Sequence, residues 1–290
     1  MTALIPMLDG LTFAATRERI EHKVKTQEYH LVRLWGTLGF MIPAAVLFFL
    51  LRGDGSTNAT AIYLGVMIAC AGPLLAGLLP GIAPEKKKPR AEAPTLAAVR
   101  VLWKPHLRVM VACMFLFAMA EGIRWPFYSQ YLIQLEIADE WVGVIVNIGV
   151  AVEVVFILAL GPLLRTLGVR GVLLMGGVSV VLRHALLATV PSIPVVIATQ
   201  VLHGPMVLCM FLVPPMYLNR FAEPEFRNSI QGMYWVVCGG IARIIGSPLG
   251  GHFAEVDLRA AFGLGTALCS VGLIVLFVGF HEPDDCPSEA

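Results

Sequence analysis

The chain has 290 residues, of which 57% are hydrophobic and only 14% are charged. A soluble domain is about one quarter charged, and a chain of this size exposes too much surface to hide so many apolar side chains from water. The formal net charge of +1 gives no support to nucleic-acid binding through bulk charge. The composition therefore indicates a protein that lies in a lipid bilayer.

The first apolar segment, residues 3–15, covers only about half of a membrane span. No basic segment precedes it, so it does not have the pattern of a signal peptide. We interpret it as the end of a helix whose beginning is absent.

Eight further stretches are apolar over roughly the 20 residues that a helix needs to cross about 30 Å of hydrocarbon. In chain order they are 34–52, 59–82, 107–133, 141–163, 171–190, 194–219, 229–250 and 259–280. Only a helix lets an open chain satisfy its own backbone groups in lipid. We therefore predict an all-α membrane protein.

Lysine and arginine are concentrated in alternate loops. They are frequent in 16–30 and in the longest loop, 83–106, and they recur after the fourth and sixth full spans, whereas the other loops hold few. Basic loops face the cytoplasm. The pattern predicts a multi-pass protein of the cytoplasmic (inner) membrane, with the C-terminal tail in the cytoplasm.

The long basic loop also marks a break in composition, because PEKKKPR is followed by a stretch rich in proline and alanine. We interpret it as a solvated tether, and contact with anionic lipid is the alternative. The chain then divides into a partial N-terminal bundle (1–82), a cytoplasmic central loop (83–106), a six-helix C-terminal bundle (107–281) and a cytoplasmic tail (282–290).

Several ionisable residues lie inside the predicted spans, where each costs about 3 kcal/mol unless it is paired or lines a cavity. They are Glu121, Arg124, Glu153, Arg183, His184, His203 and Arg243, while Asp9 and Arg33 flank the first basic loop. Some have purely structural explanations. Arg33 could extend to the interface, Glu121 and Arg124 could form a local i, i+3 ion pair, and His184 could be a satisfied interior histidine.

Glu153 and Arg183 are harder to explain as packing residues, because they come from neighbouring helices at depth. Opposite charges that converge from several helices are typical of a polar cavity that carries a substrate or a proton.

The later spans are rich in residues that alter helix packing. The seventh span contains Gly239, Gly246 and Gly250, which indicate close packing or sliding of helices. Proline residues interrupt the preceding span, as in a gating helix. Trp125, Phe127, Tyr128 and Tyr131 form either an aromatic interfacial belt or a surface that stacks on a ring-shaped ligand.

Catalytic and metal-binding patterns are absent from the sequence. The six cysteines have no Cys-x-x-Cys spacing and are interpreted as small apolar core residues. No HExxH, DxxxD or GxSxG motif occurs. We therefore expect neither a metal nor a cofactor, and a membrane-embedded enzyme is only a remote alternative.

A series of motifs resembles the major facilitator superfamily, in the branch that contains lactose permease, the phenylpropionic acid transporters and the nucleoside–proton symporters. In chain order the motifs are IPMLDGL at 5–11, YHLVRLWGTLGF at 29–40, VAVEVVF at 150–156, GPLLRTLGVRGVLL with VLRHALL within 161–187, VLHG at 201–204 and FRNSIQGMY at 226–234. The resemblance covers nearly the whole chain. It implies a major facilitator fold whose first three and a half helices are absent.

The resemblance also assigns roles to individual residues. Asp9 and Arg33 match positions that bind substrate in lactose permease, and Glu153, Arg183 and His203 match members of its substrate and proton network. It implies further that Glu121 pairs with a base one turn from Arg243, so we expect a Glu121–Arg243 contact. We predict substrate-binding roles for Asp9, Arg33, Glu121, Arg124, Arg183 and His203, and proton-coupling roles for Glu153 and Arg183.

One departure from lactose permease affects the mechanism. The proton-titrating glutamate of that permease is replaced here by Met206, which leaves Glu153 as the candidate proton carrier. The resulting prediction is a secondary active transporter that moves an aromatic acid, a nucleoside or a sugar with protons. The alternative is a truncated protein that is inactive or depends on another chain for the missing helices.

Overall fold

Every regular element is a helix in the computed structural model, which describes residues 12, 13, 15, 16, 19, 28–51, 65, 94–222 and 226–283. The helices are α1 (Tyr29–Leu51), α2 (Pro94–Leu102), α3 (Pro105–Gln134), α4 (Asp139–Thr189), α5 (Ile193–Arg220), α6 (227–254) and α7 (Leu258–Gly279). The predicted all-α class is confirmed.

Helix α4 joins two of the predicted spans, 141–163 and 171–190, without an irregular loop. The break between them is Gly168, whose φ of 66° and ψ of 177° are not helical. A positive φ of this kind is accessible to glycine without steric strain. Glu282 accepts a hydrogen bond from the backbone N–H of Arg170 at 3.0 Å, which satisfies one free donor at the start of the second half.

Four helices in the described part are long and apolar enough to cross a membrane: Pro105–Gln134, Trp141–Thr189, Ile193–Arg220 and Leu258–Gly279. The first, third and fourth of these coincide with the predicted spans 107–133, 194–219 and 259–280, and the second combines the two predicted spans 141–163 and 171–190. Helices α1 and α6 correspond to 34–52 and 229–250. The predicted span 59–82 lies almost entirely outside the described residues, as does most of the first apolar segment.

The predicted cytoplasmic loop contains a helix, α2, that was not expected from the sequence. Its apolar residues Ala98 and Leu102 are buried, and α2 packs against the first turns of α6. A short helix of this kind is stabilised by packing of its apolar face rather than by its intrinsic propensity.

Helix α3 packs against both α6 and α7. Gly246 and Gly250 of α6 lie directly against the backbone of Met119 and Ile123 in α3. The first half of α4 contacts α1 at Glu153 and α5 at Gly149, and its second half contacts α5 at Gly176 and α7 at Gly177. Polar residues of α3, α4 and α5 are thereby brought together, and Thr37 of α1 contacts one of them, Glu153.

Candidate functional site

Glu153 lies at the junction of three helices. Glu153 lies about 20 Å along α4 from its first residue, since an α-helix rises about 1.5 Å per residue. Its side chain is only 14% exposed. The Thr37 hydroxyl of α1 donates a hydrogen bond to Glu153 Oε1 at 2.6 Å. On the other side, His203 Nε2 of α5 lies 3.4 Å from Oε2. The carboxyl group therefore links α1 to α5.

Arg183 extends the site from α5 to the second half of α4. Its Nη1 lies 2.9 Å from His203 Nδ1, and its Nη2 donates to Gln200 Oε1 at 2.9 Å. A guanidinium can only donate, so His203 Nδ1 must accept and the ring proton is assigned to Nε2. The Nε2–H group then points at Glu153, which accepts from His203 and Thr37 together.

Gln200 connects this group of residues to α3. Its Nε2 donates to the Tyr128 hydroxyl at 2.6 Å and to the Val196 carbonyl at 3.1 Å. A 3₁₀ turn over Thr199–Leu202 interrupts α5 at this point, and Gln200 and His203, three residues apart, face the same side of a helix. One turn of α5 therefore supplies both neutral partners of Arg183.

The absence of a side chain at Gly149 makes room for that turn. A Cβ atom at this position would lie 2.8 Å from Gln200 Oε1 and 3.2 Å from the His203 ring. A side chain at this position would therefore require Gln200 or His203 to shift.

Glu121 and Arg124 form a buried ion pair at the α3 end of the site. Arg124 Nη2 donates to Glu121 Oε2 at 2.6 Å, and Arg124 Nε lies 3.1 to 3.2 Å from the two carboxylate oxygens. The Arg124 guanidinium also lies 5.1 Å from the centre of the Tyr128 ring. His184 is fully buried beside them, with its Nε2 3.9 Å from Glu121 Oε1.

The structure does not form the expected Glu121–Arg243 contact. The backbone of Arg243 passes next to Gly122, but the Arg243 side chain is exposed and lines a small cavity with Met210 and Trp235. Arg124 already saturates the Glu121 carboxylate from the same helix. The local i, i+3 pair, the structural alternative for these two residues, is the arrangement observed.

The remaining predicted residues lie apart from this group or cannot be located. Arg33 is half-buried on α1, one turn before Thr37, and makes no ion pair with a described residue. Asp9 lies outside the described residues. Of the aromatic residues, Trp125 is 54% exposed, whereas Tyr128 and Tyr131 are buried, so the interpretation as an interfacial belt is wrong for both tyrosines.

The polar side chains form one continuous series across the bundle. It runs from Thr37 on α1 to Glu121 on α3, by way of Glu153, His203, Arg183, Gln200, Tyr128 and Arg124. Each step is a hydrogen bond, an ion pair or a cation–π contact. Glu121 and Arg124 pair with each other. The other two charged members are Glu153, whose carboxyl group could exchange a proton, and Arg183, whose guanidinium could bind an oxygen-rich solute.

Thr37 and Gln200 were missed in the sequence because both are uncharged. Charge inside an apolar span was the criterion for selecting residues, and a hydroxyl or an amide does not meet it. Two signals could have found them: Gln200 is an amide three residues before His203, and Thr37 follows Arg33 by one helical turn.

The chain is similar to known transport proteins over most of its length. A sequence profile of the MFS_1 like family matches residues 1–264. YegT of Escherichia coli (strain K12), provisionally named a nucleoside transporter, is 23% identical over 89% of this chain and 66% of its own length. A protein of the same strain named "Probable 3-phenylpropionic acid transporter" is 26% identical over 98% of this chain and 71% of its own.

Among solved structures, the crystal structure of a mutant of the nucleoside transporter NupG superposes with a TM-score of 0.68 at 20% identity. The superposition covers 86% of this chain and 67% of that one. At this identity the likeness shows the fold. The chain spans 57 to 71% of the length of the curated relatives that it matches.

Proposed function

The chain belongs to the MFS_1 like family, and on that premise we propose that it moves a small organic solute together with protons by alternating access. The family consists of transporters, not enzymes, and this chain is a multi-pass integral membrane protein. Relatives are named for nucleosides and for 3-phenylpropionic acid, and these compounds are our first candidates for the solute.

The observation that carries this proposal is the link from α1 to α5 through Glu153. Thr37 and Glu153 are 116 positions apart in sequence and come from the two proposed bundles, 1–82 and 107–281. In alternating access, two bundles move relative to each other around a central site. A carboxyl group that is hydrogen-bonded across this boundary is well placed to couple its protonation to that movement.

We assign the proton to Glu153 and the solute to Arg183 and His203. Glu121 and Arg124 fix the position of Tyr128 and thereby support Gln200. Arg33 and Asp9 remain candidate substrate residues on the N-terminal side. The basic loops support an orientation with the C-terminus in the cytoplasm of a cell with an inner membrane.

Substitution of Glu153 tests the proposal. The purified chain in proteoliposomes is expected to accumulate uridine or 3-phenylpropionate when a pH gradient is imposed. Glu153→Gln should lose this accumulation but keep solute exchange at equal pH, because the amide preserves the shape of the site and cannot exchange a proton. Glu255→Gln, at an exposed position outside the site, is the matched control and should behave as wild type.

The same assay separates the competing explanations. Undiminished accumulation by Glu153→Gln would remove Glu153 from the mechanism. Failure of the wild-type chain to exchange either solute would favour the alternative that this chain requires another chain for activity, and co-expression with the N-terminal helices of a relative would then restore exchange.

A further inference from the structure

Helix α2 presents an apolar stripe that the rest of the protein leaves largely uncovered. Val99 and Trp103 are 44% and 69% exposed. The backbone N–H of Trp103 donates to the Val99 carbonyl at 3.0 Å, so the helical turn continues and these two side chains lie on one face. On the neighbouring stripe, Ala98 and Leu102 are buried. Packing inside the protein therefore explains one apolar stripe of α2 and not the other.

The depth of α2 in the bilayer follows from its connection to α3. Only Trp103 and Lys104 separate the two helices. Helix α3 has 30 residues and is therefore about 45 Å long at about 1.5 Å per residue. This length matches a bilayer together with its headgroup layers, about 40–45 Å. The first turn of α3 therefore lies at the level of the headgroups, and so does α2. Tryptophan is enriched at this level.

Positive charge borders the exposed stripe and is not neutralised nearby. Lys104 and Arg108 are exposed, and the Arg108 backbone N–H donates to the Lys104 carbonyl at 2.9 Å, which places them one turn apart. Among the described residues neither side chain forms an ion pair, and Lys104 Nζ lies 5.9 Å from the centre of the Phe221 ring. No acidic residue occurs between Glu92 and Glu121. Like charges at this spacing repel unless an anion joins them.

We propose that α2 is an interfacial helix that binds anionic phospholipid. Val99 and Trp103 enter the boundary between headgroups and acyl chains, while Lys104 and Arg108 contact the lipid phosphates. An apolar stripe beside basic residues is the pattern of a helix that lies in the plane of the interface. Anionic headgroups attract basic residues that adjoin a membrane-spanning helix. A soluble acidic protein would match the cations, but it would not account for apolar side chains exposed at headgroup depth.

Lipid bound at α2 would stabilise more than this helix. Helix α2 packs against the first turns of α6. There the Gln231 side chain donates to the Pro215 carbonyl of α5 at 2.8 Å, and the Tyr234 hydroxyl donates to the Met210 carbonyl of α5 at 2.9 Å. The start of α6 is thus joined both to α2 and to α5. Because a ligand that binds only the folded form raises stability by mass action, anionic lipid is expected to raise the thermal midpoint.

Quenching of tryptophan fluorescence by brominated lipid tests the contact. The purified chain is placed in phosphatidylcholine nanodiscs that contain equal fractions of brominated phosphatidylglycerol or brominated phosphatidylcholine. We expect stronger quenching by the anionic lipid. Trp103→Phe should remove this preference, whereas Trp141→Phe, at an exposed tryptophan where α4 begins, should keep it. Lys104→Gln and Arg108→Gln should each lower the relative affinity for phosphatidylglycerol about fivefold. Arg259→Gln, an exposed cation where α7 begins, is the control and should leave it unchanged.

Thermal unfolding in unlabelled nanodiscs tests the effect on stability. Phosphatidylglycerol should raise the midpoint of the wild-type chain above its value in pure phosphatidylcholine, and high salt should reduce this rise because exposed charges are screened. The double substitution of Lys104 and Arg108 by glutamine should show a smaller rise. In pure phosphatidylcholine this variant and the wild type should have the same midpoint, which shows that the variant is folded.

Three results would overturn the inference. Equal quenching by the two brominated lipids would show that the anionic headgroup is not selected. A rise in midpoint with inorganic phosphate in pure phosphatidylcholine, as large as the rise with phosphatidylglycerol, would assign the cations to a free anion instead of a lipid. A Trp103 that no brominated lipid quenches would lie outside the bilayer, and a soluble protein partner would then be favoured. None of these results concerns solute exchange, so the proposed transport function would stand in each case.

Discussion

At the scale of single residues, the site depends on the fixed orientation of His203. Arg183 on one side and Glu153 on the other assign the ring one donor and one acceptor. Because Arg183 and Gln200 are nearly fully buried, their bonds lie in a low-dielectric environment where hydrogen-bond partners are strongly selected. A change that displaces His203 is therefore expected to disturb the proton and solute sites together.

Gly149→Ala is the substitution that makes such a change without removing a polar group. The new methyl group would meet Gln200 Oε1 and the His203 ring, and overpacking of this kind destabilises a protein by about 1 to 3 kcal/mol. We expect weaker solute binding and a lower melting temperature in detergent. Gly143→Ala, on the same helix with open space around it, is the control and should change neither. Normal binding by Gly149→Ala would contradict the described packing of α5 on α4.

The charged residues of the site could be predicted from the sequence, whereas its uncharged residues could not. Glu153, Arg183 and His203 were selected together, and the structure brings them together. The expected partner of Glu121 was wrong because a bidentate contact from Arg124 on the same helix satisfies the carboxylate first. The roles of these residues in binding and coupling stay predictions.

At the scale of helices, the close approach of α6 to α3 determines where the polar face of α3 points. Gly246 lies against the backbone of Met119, and Gly250 lies against Ile123. Ser247 of α6 donates to the Gly122 carbonyl at 2.9 Å between these two contacts. Small residues allow such approaches in membrane bundles, and here they fix α3 on both sides of Glu121.

Gly246→Ala should therefore separate α6 from α3. A Cβ at this position would collide with the Met119 carbonyl, and rigid backbone cannot move aside as a side chain can. We expect a loss of about 1 to 3 kcal/mol in stability, measured as a lower thermal midpoint in detergent. Gly232→Ala, in the first turns of α6 with nothing within 4 Å, should be neutral or slightly stabilising. Equal midpoints for the two variants would refute the close contact.

Helix boundaries were predicted well from apolar length, whereas interruptions were not. The spans 107–133 and 259–280 agree closely with α3 and α7. Proline positions indicated an irregular α5, and the structure contains a 3₁₀ turn at Thr199–Leu202 and a π-helical segment at Leu208–Leu212. Apolar length cannot locate such segments, because they arise from packing between helices.

At the scale of the whole molecule, the sidedness of the chain is a prediction from loop charge. The Gly168 break lies beside the C-terminal end of α7, where Arg170 donates to the Phe277 carbonyl at 2.7 Å. The turn after α3 at Glu136 lies at the opposite end of the helices. The positive-inside pattern predicts that the break at Gly168 faces the cytoplasm and that the turn at Glu136 faces outward.

Labelling of introduced cysteines in cells can check this orientation. Cys113, Cys209, Cys238 and Cys269 are buried, so they should react little once Cys70 and Cys286 are replaced by serine. Thr166→Cys, at an exposed position before the break, should resist a membrane-impermeant maleimide in intact cells and react after lysis. Glu136→Cys should react in intact cells. The reverse pattern would invert the proposed topology.

The central claim is that Glu153 couples proton movement to solute movement. The most direct test is the internal pH of proteoliposomes, read with a trapped dye while a gradient of 3-phenylpropionate is imposed. Wild-type protein should acidify the interior as the solute enters, and Glu153→Gln should admit the solute by exchange without acidification. Solute entry without a pH change in wild type, or unchanged acidification in Glu153→Gln, would contradict the claim.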